Sequence, residues 1–300
     1  MTPLASPDPG ARQAELNRSV AGHWEMFADH RRRVTDLIVA LTPPAGAVVC
    51  ILGAGNCNDL DLARLLGVAA DVHLIDVDLA AMRDGVERQD VAMSTSLHLH
   101  EADITGVLST LGRWGTDPPS TNAEIDECLL ALARTPSIGV EPGSAHVAVS
   151  AAVLSQVTGT AVRLLDREHP RSLEVALSIR DAHLRLLTSL LLPGGWGVLI
   201  TDAASSEIVD DLGAAADDSL PALLDEVVDA GQVHTGTDPL GLEWSLREDL
   251  RIARGPDSIV RHPPWLWRLG PDKVELTYAL TFRTAPRDGV GEPWAGHRAL

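Results

Sequence analysis

Val48-Val49-Cys50-Ile51-Leu52-Gly53-Ala54-Gly55-Asn56-Cys57-Asn58-Asp59 is an apolar run that breaks into a Gly-x-Gly turn and then a helix start. In an α/β sheet such a turn holds a nucleotide-sized ligand. Glycines admit a ligand that any Cβ would exclude, and the helix start after Asn58 and Asp59 offers free N–H groups. About twenty residues on, Asp76 ends a second apolar run, Val72 to Asp76, where a carboxylate can accept both ribose hydroxyls. Asp103 lies just beyond a third run, Leu97 to His100, near where an adenine edge would lie. It reads equally as a cap for a helix from Ile104, and Asn58 or Asp59 reads equally as a cap for the first helix.

Outward from the turn, apolar strands alternate with helical stretches, from about Asp59 to Leu66 and from Leu79 to about Gln89. Strands separated by helices of this length imply parallel crossovers and a doubly wound sheet. Arg113 to Gly143, with Pro118-Pro119, Pro136 and a short helical piece, reads as an insertion. A fourth strand is expected from Ala145 to Val149, continuing into Ser150 to Val157. A long helix, Ser172 to Leu190, is stopped by Leu191-Leu192-Pro193-Gly194-Gly195 before a fifth strand, Gly197 to Thr201. Trp265 to Trp267 and Val274 to Phe282, joined by a Gly-Pro-Asp turn, read as an antiparallel hairpin.

Ahead of the first strand, Gln13 to Ala40 has helical spacing, with Trp24, Phe27, Val34, Leu37 and Ile38 on one face, and Pro43-Pro44 ends it. The expected divisions are a flexible tail over 1–12, a helical cap over 13–43, a sheet domain over 44–285 and a second tail over 286–300. Within the sheet domain, 113–143 is the insertion and 203–244 a helical cap segment.

The composition bounds the function. With 300 residues, 45% of them hydrophobic, the chain can bury a substantial core. A formal charge of −18 opposes a nucleic-acid partner, because such binding rests on Lys and Arg neutralising phosphates. Lys273 is the single lysine. Cys50, Cys57 and Cys128 have no metal-ligand spacing, so no metal is expected, and their odd count suggests no disulfide framework. Met1 to Arg12 lacks the apolar core of a signal peptide, and no apolar run is long enough to span a bilayer. These features lead to the expectation of a cytoplasmic, membrane-free enzyme with a small-molecule substrate; the oligomeric state stays open.

Three features bear on which ligand the turn holds. A dinucleotide fingerprint wants a third glycine, where this chain has Asn58, followed by Asp59, an acid that would repel a pyrophosphate. The others are Leu-Leu-Pro-Gly-Gly before the fifth strand and the closing hairpin. On these residues the chain resembles the class I S-adenosylmethionine-dependent methyltransferases. Leu52 to Asn56 looks like their glycine motif, Asp76 like their ribose acid and Asp103 like their adenine-contacting acid. The resemblance covers roughly Pro44 to Thr284 and implies a three-layer αβα fold. Its seven-stranded, mostly parallel sheet would have strand order 3-2-1-4-5-7-6.

It further implies S-adenosylmethionine as cofactor, held by Gly53, Ala54, Gly55, Asn56, Asp76, Asp103 and Ser150, and methyl transfer to an O or N acceptor. Ile51 stands where many members carry an acid that helps hold the methionine ammonium. For a hydroxyl acceptor the candidate bases are His30, Asp202 and Glu207. Arg31 reads as a partner for a cofactor carboxylate or as an exposed basic helix end. Cys57 reads as packing. The rivals are an NAD(P)-dependent oxidoreductase on the same sheet and a regulatory protein that binds S-adenosylmethionine without turnover.

Overall fold

The computed structural model describes residues 9–116, 121–165 and 169–286. The expected tails fall largely at 1–8 and 287–300, outside the described residues, as do Pro118-Pro119. Residues 9–12 already belong to helix α1 (Pro9–Val20). The single helix expected up to Ala40 is two, α1 and α2 (Ala28–Leu41), broken by turns around Gly22.

Strands β1 (Val48–Leu52), β2 (Asp71–Asp76), β3 (Leu97–Glu101), β4 (Ala145–Ala151) and β5 (Leu191–Ser205) pair in parallel. Helices α3 (Leu62–Leu66) and α4 (Leu79–Arg88) make the first two crossovers. The segment 113–143, expected as an insertion, lies within the connection from β3 to β4. It carries the end of α5 (Leu108–Thr116) and α6 (Asn122–Leu132), the crossover that parallel strands β3 and β4 require. Leu111, Trp114, Ile125 and Cys128 bury there against α7 (Leu154–Leu165) and α8 (Ser172–Leu190). Strand β4 stops at Ala151, where the chain turns into α7 and ends the strand earlier than the apolar run suggests. After β5 come α9 (Leu220–Asp229) and α10 (Pro239–Glu248), so 203–205 is strand and the helices follow it.

The C-terminal part differs in one respect from the expected seven strands. The partner of β8 (Val274–Arg283) is two short strands, β6 (Ile259–Arg261) and β7 (Trp265–Arg268), giving eight. Between them lies His262-Pro263-Pro264. Neither proline has an N–H for the ladder, so the strand divides there. With β6 and β7 taken together, the observed order β3-β2-β1-β4-β5-β8-β6 is the order the resemblance implies, and β8 runs antiparallel to β5. No described helix is long and apolar enough to cross a membrane.

Alternation along the strands builds two cores. Val49, Ile51, Val72, Leu74, Val149 and Ile200 face α2, α3 and α4, whereas Cys50, Leu52, Ile75, Ala148 and Leu199 face the α8 side. On the α8 side Gly197 of β5 lies under Phe282 of β8: a Cβ there would sit 2.1 Å from the ring. Phe282 is fully buried and cannot swing away. Gly197→Ala is therefore expected to lower stability by about 1–3 kcal/mol through overpacking, read as a lower urea midpoint with an unchanged m-value.

Candidate functional site

The strand ends leave a cleft along the C-terminal edge of the sheet, where open α/β folds bind ligands. It encloses about 540 Å³, including the part open to solvent. Asp76, 5% exposed, stands in its wall at the end of β2. The Gly55 N–H donates to its Oδ2 and the Asp78 N–H to its Oδ1, each at 2.9 Å. Both oxygens keep lone pairs for a ligand, and burial raises the carboxyl above its ordinary value. Asp103 also lines the cleft, but it works as a cap: Oδ1 accepts from the N–H and hydroxyl of Thr105 and Oδ2 from the N–H of Leu108 at the start of α5. Ile104, Leu108, Leu111, Val153 and Val157 give the rest of the wall an apolar surface, and among the described residues no Lys or Arg lines it.

The glycine turn is used differently from the sequence expectation. Gly53 lines the cleft at φ +76, and a Cβ on it would meet Val153 at 2.5 Å, so this glycine admits a protein side chain. Ala54 (4% exposed), Gly55 and Asn56 do not line the cleft. Gly55, at φ +49, serves it through its N–H to Asp76. The Asn56 amide donates to the Asn17 carbonyl and its Oδ1 accepts from Asn58 N–H. Cys57 is the third positive-φ residue of the turn, held at φ +54 and fully buried, with burial pushing its thiol up and away from nucleophilic use. Ser150 does not line the cleft either; it faces the other core and bonds His183 Nε2 at 2.8 Å. The helix after the turn starts at Leu62, capped by Asp61, whose Oδ1 accepts from Arg64 N–H; neither Asn58 nor Asp59 is the cap.

Helix α1 lies over this site through carboxamides. Gln13 lines the cleft and donates to Gln156 Oε1, Asn17 donates to Asp78 Oδ2, and Asn58 donates to the Val20 carbonyl. Arg31 is buried, not exposed: it stacks on Trp24 and donates to the carbonyls of Trp24 and Asn58.

Of the three candidate bases, Glu207 is exposed and lies outside the cleft lining. Asp202 is buried at the end of β5, with Oδ2 accepting from Ser155 and Oδ1 from Thr277; burial beside Glu275 pushes it up to about 7. His30 is 2% exposed and stacks on Trp267 at 4.1 Å. Its Nδ1 accepts from Trp265 Nε1 at 3.0 Å, and burial beside Arg31 and Arg33 lowers it to about 3. Asp59, which the sequence offers as a helix cap, is no cap here: its Oδ1 lies 4.0 Å from His30 Nε2, and burial and Asp202 push the carboxyl up to about 7. Its one sequence signal, an acid just after the turn, is also that of a cap.

No protein-family model matches the sequence, and no curated protein matches it. Among solved structures the chain is similar to CurJ carbon methyltransferase (16% identity over 81% of this chain and 50% of that one, TM-score 0.44). It is similar also to the N-methyltransferase NodS from Bradyrhizobium japonicum WM9 (13%, 87% and 97%, TM-score 0.42) and the [4+2]-cyclase SpnF (13%, 85% and 80%, TM-score 0.43). The chain's own strand order, with its reversed last strand, gives it the class I methyltransferase fold.

The buried pair sets opposing pH slopes. His30 stays neutral below about pH 6.5, where the unfolded chain takes up a proton, so its contribution falls as pH drops. Asp59 keeps a proton up to about 7, whereas the unfolded chain releases it near pH 4, so its contribution falls as pH rises. Asp59→Asn removes only the second slope. The variant is expected to exceed the parent in stability at about pH 8 and to lose stability more steeply on acidification to about pH 5, measured by urea midpoints.

Proposed function

We propose that the protein is an S-adenosylmethionine-dependent methyltransferase acting on a small molecule in the cytoplasm. The observation that carries this reading is the cleft itself: a buried acid with free lone pairs at the end of β2, apolar walls beside it and no cationic side chain among its lining residues. Asp76 fits the two hydroxyls of a ribose, and the surface of Ile104, Leu108 and Val157 fits an adenine ring. Two carboxylates and no cation suit an adenosine bearing a positive sulfonium, whereas the pyrophosphate of NAD(P) would meet repulsion and no counter-charge. When bound, the cofactor supplies an activated methyl group.

The chain's own task is alignment and exclusion of water. Methyl displacement needs an in-line approach, and holding both reactants on a rigid strand edge provides it. Gln13 of α1 and Gln156 of α7, bonded to one another, both line the cleft, and Asn17 of α1 donates to Asp78, two residues after Asp76. The net charge of −18 favours a small-molecule acceptor over a nucleic acid. All three cysteines are free and buried, in keeping with a reducing compartment.

Calorimetry separates this reading from its rivals. S-adenosylhomocysteine is expected to bind and NAD not to. Asp76→Ala, losing hydrogen bonds from two hydroxyls to a charged acceptor worth about 1.5–3 kcal/mol, should weaken binding by roughly 10–100-fold. Binding of NAD alone, or unchanged affinity in the variant, defeats the cofactor assignment. Transfer of a labelled methyl group to a metabolite extract then tells an enzyme from a binder.

A further inference from the structure

Three carboxamides form a line of hydrogen bonds along the cleft, and its direction is fixed at both ends. At one end is Asp78, whose carboxylate only accepts, so Asn17 turns its amide nitrogen to Oδ2, at 3.1 Å. Asn17 Oδ1 then faces back along α1, where it takes a longer bond from Gln13 Nε2, at 3.4 Å. Gly55 leaves the room this needs: a Cβ there would sit 3.1 Å from Asn17 Oδ1. At the other end the Ala152 carbonyl only accepts, so Gln156 turns its nitrogen to it, at 3.1 Å, and its Oε1 away. That oxygen accepts from the same Gln13 nitrogen, at 3.1 Å. The two ends leave Gln13 one orientation. Its nitrogen faces two protein oxygens, and its Oε1 has no partner among the described residues.

Of the polar side chains that line the cleft, several are already spent. Asp103 accepts from the N–H and hydroxyl of Thr105 and from the N–H of Leu108, and the Thr105 hydroxyl also accepts from Val107 N–H. Thr160 accepts from Arg163. What the wall offers besides Asp76 is the joined pair of Gln13 and Gln156, both of which line it. The pair presents one acceptor, Gln13 Oε1, and one donor, the second N–H of Gln156.

An adenine edge is the complement of such a pair, an amino group that donates beside a ring nitrogen that accepts. A 6-oxo purine carries the reverse, an oxygen beside a ring N–H. The pair cannot turn round to suit it. Doing so would set Gln156 Oε1 against the Ala152 carbonyl and Gln13 Oε1 against the Asn17 oxygen. Resting on the reading of the cleft as an adenosine site, we infer that the base of the cofactor is read by Gln13 of α1 and Gln156 of α7, and not by Asp103. The exocyclic amino group donates to Gln13 Oε1, and the adjacent ring nitrogen accepts from Gln156 Nε2. The apolar surface of Ile104, Leu108 and Val157 takes the ring face, and Asp76 the ribose. Helix α1 is then a part of the site: Asn17 is the one buried residue among its described side chains, so polar groups and not a core seat it there.

Calorimetry with two ligands tests the assignment: S-adenosylhomocysteine and its inosine analogue, in which oxygen replaces the 6-amino group. The parent is expected to bind the adenine form about 10–100-fold more tightly, the discrimination of one matched donor-and-acceptor pair. Gln13→Ala and Gln156→Leu should each bring that ratio toward one. A role in seating α1 alone would weaken both ligands equally and leave the ratio in place. A parent that binds both ligands alike, or variants that keep its ratio, overturns the inference. In a crystal with S-adenosylhomocysteine the amino nitrogen is expected within hydrogen-bond distance of Gln13 Oε1, and its placement on Asp103 instead also overturns it. Binding without discrimination removes this inference alone, whereas no binding of either ligand by the parent removes the cofactor reading beneath it.

Discussion

Everything at the strand edge depends on a buried loop that has no secondary structure of its own. From Gly53 to Asp61 the backbone must find partners outside any ladder, because an unpaired buried amide costs about as much as a lost hydrogen bond. Side chains from α2 and from the end of α4 supply them. Gln89 donates to the carbonyls of Cys57 and Leu60 and accepts from Leu62 N–H. Arg31 and Arg88 reach the carbonyls of Asn58 and Asn56, and Thr35 accepts from Asp61 N–H. Gly85 lets α4 come close enough for this: a Cβ there would sit 2.3 Å from the Asn56 carbonyl oxygen. The loop is rigid because α2 and α4 hold it, and Asp76 and Asp59 inherit their positions from it.

The same arrangement explains why positive φ angles gather here. Gly53, Gly55 and Cys57 all lie in the left-handed region, alternating with residues that do not. Only the first two are glycines. A cysteine tolerates the conformation because its small apolar side chain is fully buried against the loop's own core, where packing offsets the backbone strain. A ligand-binding turn is thus assembled from one glycine that admits Val153, one that turns its N–H to Asp76, and one residue that anchors the turn to the core.

The parts of the fold that follow from periodicity were legible in the sequence. Period-two apolar runs separated by helical spacing identify five parallel strands, and the Gly-Pro-Asp turn identifies the closing hairpin. What escaped is set by partners far away in the chain. His262-Pro263-Pro264 divides a strand whose pairing is defined only by β8. The crossover helices α5 and α6 look like an insertion because their apolar residues are matched on α7 and α8, beyond β4. Within the site, Asp76 was legible because its spacing from the turn has a meaning of its own. Asp103 and Asp59 carried two readings each, and the structure separates them by what surrounds the carboxylates. Asp103 is consumed in capping α5, though it still lines the cleft, while Asp59 is left without a cap to make, since Asp61 makes it.

That exchange between two acids two residues apart sets what the loop buries. Had the helix begun at Asp59, its carboxylate would point along the helix axis toward the N–H groups of the first turn and would be stabilised in ionised form. Delaying the start to Leu62 gives the capping role to Asp61 and turns Asp59 toward α2, under Trp265 and Trp267, where no N–H group answers it. The imidazole of His30 lies 4.0 Å from its Oδ1, kept neutral by burial beside Arg31 and Arg33. Two buried polar groups held this far apart are an expensive feature to maintain in a core.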